Sequence, residues 1–194
     1  MTVIDRSVIE VPSGFRSEAV ALFMAGLDDQ HALLVHDLEG ITPAELEWQP
    51  RPGMNTIGML LAHIAIVEVF WTQVGPERKT QYDTESVLGL DLRDGDGMPA
   101  KPDALPPAHL AGKTFAYYKE LLAKARAYAN RGAANLDDAA LGPVFRRTRR
   151  NGSQEDLNVR YVLYHMLEHF SGHYGQILLL RHQYRDAMAA SGAR

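Results

Sequence analysis

Three histidines stand at four-residue intervals in one short stretch, His165, His169 and His173. In an α-helix, side chains four residues apart share a face with Cβ atoms about 5–6 Å apart. Two imidazoles so placed can converge on one cation at about 2.0–2.1 Å each. His169 and His173 also belong to the stripe Val162, Met166, Ile177, whose three- and four-residue steps mark a face turned to the interior. His63 is placed in the same way, three residues after Leu60 and four before Val67. Two helices could therefore bring three nitrogen donors, His63, His169 and His173, to one divalent metal. Three protein ligands leave at least one coordination position open, as in catalytic rather than purely structural sites. The alternative is a set of hydrogen-bonded core histidines. His165, at the edge of the stripe, could replace His169 as a ligand, orient a ligand or line a pocket.

Around these residues stand groups with two readings each. Glu68, five residues after His63, could accept a hydrogen bond from a ligand ring or act in catalysis, or be an interhelical or solvated glutamate. Glu168 precedes His169 directly and so points to the flank. Trp71 and Tyr164 either shape a pocket or belong to the core. Arg146, Arg147, Arg149 and Arg150 form the chain's basic cluster. It reads as a solvated hairpin face, or as an anion clamp in which Arg146, Arg147 and Arg149 bind a carboxylate-bearing cofactor or substrate.

Four long helical patterns must position these side chains. The first spans 14–38, with Ser13 as N-cap. A miniature helix start follows at Thr42-Pro43-Ala44-Glu45. The second long helix begins at Asn55 or Thr56 and stops at Gly75-Pro76, and the third spans 107–131. A loop over 77–106 is too long for a simple turn and reads as a crossover between helices running the same way. Val144-Phe145, the basic residues and Asn151-Gly152 suggest a small hairpin. The fourth helix, 156–188, carries the three clustered histidines. The fold class expected is all-α, a four-helix bundle forming a single domain over 1–194.

Bulk composition narrows the function. The chain has 194 residues, 46% of them hydrophobic and 23% charged, which is ordinary globular composition. Lys and Arg number 20 against 24 Asp and Glu, a net charge of -4, so neither nucleic acid nor an anionic membrane is an expected partner. No apolar run reaches the roughly 20 residues of a membrane span, and no signal-peptide pattern opens the chain, so a cytoplasmic protein is expected. Cysteine is absent, which removes disulfides, thiolate ligands and any thiol nucleophile of the protein's own.

Two segments resemble a known family. Residues 48–63 (WQPRPGMNTIGMLLAH), followed by Val67, Glu68 and Trp71, look like the second-helix signature of the DinB/YfiT-like superfamily. Residues 159–177 (VRYVLYHMLEHFSGHYGQI) look like its last helix. The resemblance implies an up-down-down-up bundle with a long crossover between helices two and three. It also implies a metal triad at the positions of His63, His169 and His173. Relatives with assigned activity include transferases and isomerases dependent on low-molecular-weight thiols, and relatives form homodimers. The function expected is a metal-dependent, thiol-dependent S-transferase or isomerase acting on a small electrophile. A non-catalytic metal- or small-molecule-binding module and a metal-dependent hydrolase are the alternatives. An imidazole set suits zinc or nickel, with iron or manganese as further options.

Overall fold

The computed structural model describes residues 8–91 and 101–192. The chain is mostly helical, and four long helices dominate it: α1 (Glu18–Asp37), α3 (Ile57–Val74), α5 (Phe115–Ala133) and α7 (Val159–Gly192). Short helices α2 (Pro43–Glu47), α4 (Glu85–Leu88) and α6 (Asp138–Leu141) and a 3-10 turn at Ala108–Leu110 lie in the connections. The expected hairpin forms from β1 (Phe145–Thr148) and β2 (Gln154–Leu157), paired antiparallel with Arg147 opposite Glu155 and Arg146 opposite Asp156.

Capping explains most boundaries. Thr42 and Thr56 accept the backbone N–H of Glu45 and Met59, each at 3.1 Å, and so satisfy donors that a helix start leaves unpaired. α1 starts later than its periodicity suggests: Ser17, not Ser13, is the N-cap, accepting from Val20 N–H at 3.2 Å. The Ser17 hydroxyl also donates to Asp138 of α6, so a contact distant in sequence decides between two serines. α5 starts at Phe115 instead of near Pro107, because the 3-10 turn takes up the preceding residues.

One buried cluster joins all four long helices, with Met24 and Leu34 of α1, Leu61 and Ile64 of α3, Leu122 of α5 and Val162 of α7 at its centre. α3 is its axis. Contrary to the expectation from sequence, this helix is long and apolar enough to cross a membrane, yet 89% of it is buried inside the protein, the position of a core helix. Its neighbours follow a definite order. Against α5, Gly58 meets Tyr118, Glu68 meets Arg126 and Gln73 bonds Tyr128, numbers rising together. Against α7 the order reverses, with His63 at His169, Trp71 at His165 and Gly75 at Val162. Between α1 and α7, Gly26 meets Leu167 and Gln30 bonds Ser171.

The long connection after α3 is tied down at both ends. Gln73 donates to Asp83 C=O at 2.7 Å and accepts from Asp83 N–H at 2.8 Å, while Gln49 donates to Ala104 C=O at 2.9 Å. Leu88 and Leu90 bury themselves in the common core. The expected uninterrupted loop is therefore partly structured, and residues 92–100 of it lie outside the described residues.

Gly58 shows how closely α3 and α5 approach. A Cβ at this position would stand 2.5 Å from the Tyr118 hydroxyl, and Tyr118 is only 1% exposed. Overpacking a filled core forces side chains off their rotamers. Gly58→Ala is expected to destabilise the protein by about 1–3 kcal/mol, read as a lowered midpoint in thermal denaturation.

Candidate metal centre and adjoining cavity

α3 and α7 cross where their histidines face one another. His63 is buried and His169 and His173 are partly so. The Nε2 atom of His169 lies 3.0 Å from Nε2 of His63 and 3.0 Å from Nε2 of His173. An imidazole Nε2 carries one proton or one lone pair and so serves one in-plane partner well. Two such contacts at one atom exceed that capacity. A cation amid the three nitrogens resolves the excess, since ligands about 2.0–2.1 Å from a metal lie on the order of 3 Å from each other. The donor set thus fits a divalent metal.

Protonation favours the same arrangement. Burial, followed by the fields of His173, His63 and His165, pushes the His169 imidazolium down to about 2, so the ring is neutral with a lone pair to give. His173 Nδ1 lies 2.8 Å from Gln176 Oε1. A carbonyl oxygen accepts, so Nδ1 carries the proton and Nε2 turns its lone pair inward, the arrangement that fixes metal-binding imidazoles. Gln176→Leu is expected to weaken metal binding by about tenfold, measured by competition with a chromophoric chelator, without loss of helix content.

The structure does not bring His165 into this trio. Its Nδ1 faces Glu168 Oε2 at 3.2 Å, its ring stacks on Tyr161 with centroids 5.7 Å apart, and it meets the Trp71 ring edge-on at 4.9 Å. It lines an open cavity of about 530 Å³ that reaches His169. Trp71 shares that wall, whereas Tyr164 is 54% exposed and stands outside it.

Glu68 is committed elsewhere. It is buried on the α3 face toward α5, where its Oε1 lies 2.6 Å from Arg126 Nη1. Arg126 Nε also lies 3.0 Å from Asp28 of α1. Both contacts fall off the line of the N–H bonds and act as ion pairs rather than as hydrogen bonds. Burial raises the Glu68 carboxyl above its ordinary range, and Arg126 opposes that shift. A void of about 10 Å³, bounded by Glu68, Leu27 and His169 among others, lies next to this pair.

The basic cluster divides between two cavities. Arg147, Arg149 and Arg150 line the cavity with His165 and His169. Arg146 does not: it pairs with Asp156 at 2.7 Å and borders a separate cavity beside Arg78 and Lys79. Within the main cavity Arg147 is held 3.0 Å from Glu155, with its guanidinium 4.9 Å from the Phe70 ring, 5.1 Å from Trp71 and 5.9 Å from Tyr82. Phe70, Tyr82, Tyr161 and Glu155 are cavity residues that periodicity did not single out, because three separate elements and a loop bring them together.

A family model described as mycothiol-S-transferase matches residues 22–186, which include every residue of the candidate centre and its cavity. A comparison with curated proteins found no significant match.

Proposed function

Because the chain belongs to the mycothiol S-transferase family, one of the DinB/YfiT-like families, we propose that it is a metal-dependent enzyme joining a low-molecular-weight thiol to a small electrophile. The observation that carries the reading is the convergence of three Nε2 atoms beside a cavity that reaches His169 and is large enough for a small molecule. His63, His169 and His173 would hold zinc or nickel, with iron or manganese as alternatives. A bound divalent cation lowers the pKa of a thiol beside it and so favours the thiolate at neutral pH. The protein has no cysteine, so the sulfur must come from a small molecule.

The chain's own residues then have separate tasks. Gln176 fixes the tautomer of His173, and the neutral His169 keeps positive charge away until the cation supplies it. His165, oriented by Glu168, is the group lining the cavity best placed to take the thiol proton. Trp71 and Phe70 give the electrophile an apolar wall. In the transfer the sulfur bonds to the electrophilic carbon, and the bond to the leaving group breaks with its electron pair on that group. The thiol proton ends in solvent. Glu68, held in its ion pair with Arg126, acts through the packing of α3 rather than on substrate.

The reading also takes residues 1–194 as a single DinB-like bundle. An up-down-down-up path is supported by the rising and falling order of residue pairs between helices. A cytoplasmic setting, where low-molecular-weight thiols are reduced, and a homodimer complete it.

Incubating the metal-loaded protein with mycothiol, bacillithiol or glutathione and an aryl halide tests the proposal. Thioether formation with at least one thiol, well above metal ion alone in buffer, is the expected result. No excess rate with any thiol overturns the proposed activity, and ester cleavage without added thiol would point to a hydrolase.

A further inference from the structure

The cavity beside the metal centre has a surplus of positive charge in a chain that is acidic as a whole. Arg147, Arg149 and Arg150 line it, against Glu155 as the one carboxylate among its described lining residues. Glu155 already serves two of the three, lying 3.0 Å from Arg147 and accepting from Arg149 Nε at 2.9 Å. Arg150 is exposed and has no ion pair among the described residues. Arg147 is fixed between Glu155 and aromatic rings, so one guanidinium forms a stiff back wall while the other two stand at the opening. Cavities with low-dielectric walls and one sign of charge concentrate ligands of the opposite sign.

The position of the arginines indicates which reactant carries that charge. From the Arg147 guanidinium it is 5.1 Å to the Trp71 ring, 4.9 Å from there to His165 and 5.7 Å on to His169. Trp71 and His165 thus stand between Arg147 and the candidate metal centre, and Arg149 and Arg150 line the same cavity. We propose that the electrophilic substrate is an apolar or aromatic molecule with an anionic group, carboxylate or phosphate, bound by Arg149 and Arg150 in front of Arg147. This deepens the S-transferase reading and rests on it for the word electrophile. The anion site itself does not require turnover.

Non-reacting probes separate the two. Calorimetric titration of the metal-loaded protein at low salt with 4-methylbenzoate, 4-methylphenyl phosphate and the neutral 4-methylbenzamide compares ligands of similar size and different charge. At least one anion is expected to bind about tenfold more tightly than the amide, with the preference shrinking as salt is raised. The tighter anion identifies the group. Arg149→Gln/Arg150→Gln is expected to abolish the preference with metal content unchanged, since both side chains lie on an exposed hairpin. A preference that survives in this variant would assign the anion to the metal and overturn the proposal. Equal affinities, or no binding by any probe at millimolar concentration, would overturn it as well. Because no thiol is present, a failed transfer assay leaves this result standing, and a failed titration leaves the transferase reading standing.

Discussion

Replacing His169 and His173 together by alanine is expected to leave a folded protein that retains less than about a tenth of the wild-type metal, where the wild type holds about one equivalent. Elemental analysis after reconstitution with zinc or nickel, with circular dichroism as the check on folding, reads the result. The reason is geometric, because His63 alone cannot hold a cation that three converging nitrogens hold. Thiol transfer should fall to the rate of buffer with it. If both proteins remain metal-free after reconstitution, the trio is a packed set of core histidines. The metal-free wild type carries a second signature. Its His169 titrates near 2 in the fold against an ordinary 6.5 for an unconstrained side chain. Between those values the unfolded chain binds a proton that the folded one refuses, so this contribution to stability is complete above 6.5 and is lost as pH falls. Chemical denaturation of the metal-free protein should show that loss between pH 6.5 and 4, and the double variant should lack this part of the slope.

The histidine face was legible because a helix has a fixed period: steps of four and three through Val162, Met166, His169, His173 and Ile177 admit a single side of α7. Caps at Thr42 and Thr56 were legible for a similar local reason. The choice of Ser17 over Ser13 was not, since it depends on Asp138, 121 residues away. The division of the arginines left a signal that went unread. A strand alternates, so Arg146 and Arg147, adjacent in β1, had to point to opposite faces, whereas Arg149 and Arg150 lie beyond the strand and follow no such rule. Arg126 left a signal too, a charge in the buried stripe of Leu122 and Ala129, although its partners Glu68 and Asp28 on other helices could not be inferred from local pattern. The aromatic cavity wall belongs to the same class: Phe70, Tyr82 and Tyr161 carry no shared periodicity and meet through tertiary packing alone.

Arg126→Met is expected to cost the protein about 3–5 kcal/mol, because it leaves the buried Glu68 carboxylate without its cation. The wild-type pair is closed on both sides, with Arg126 7% and Glu68 5% exposed, so water cannot replace the lost partner. Burial already raises the Glu68 carboxyl above its ordinary range, and the Arg126 guanidinium is the influence opposing it. Without Arg126 the carboxyl should rise further and take up a proton in the fold. The folded variant then binds a proton that the unfolded chain has released at its ordinary 4.5. The Glu68 contribution to the stability of Arg126→Met is therefore greatest below 4.5 and declines as pH rises toward the folded value, opposite in sign to the His169 contribution, so it is read as the difference from wild type at each pH. Adding Glu68→Gln removes the titrating group, so the double variant should lose that slope and recover part of the stability, as neutral replacements of buried ion pairs do. Denaturant titrations of the metal-free proteins at pH 4.5 and 7.5 decide the matter, provided each fluorescence transition coincides with loss of helix signal. A loss in Arg126→Met, taken relative to wild type at the same pH, that is no larger at 7.5 than at 4.5 would mean that Glu68 finds another cation or reaches water, and the role of Arg126 as its buried counter-charge would fail.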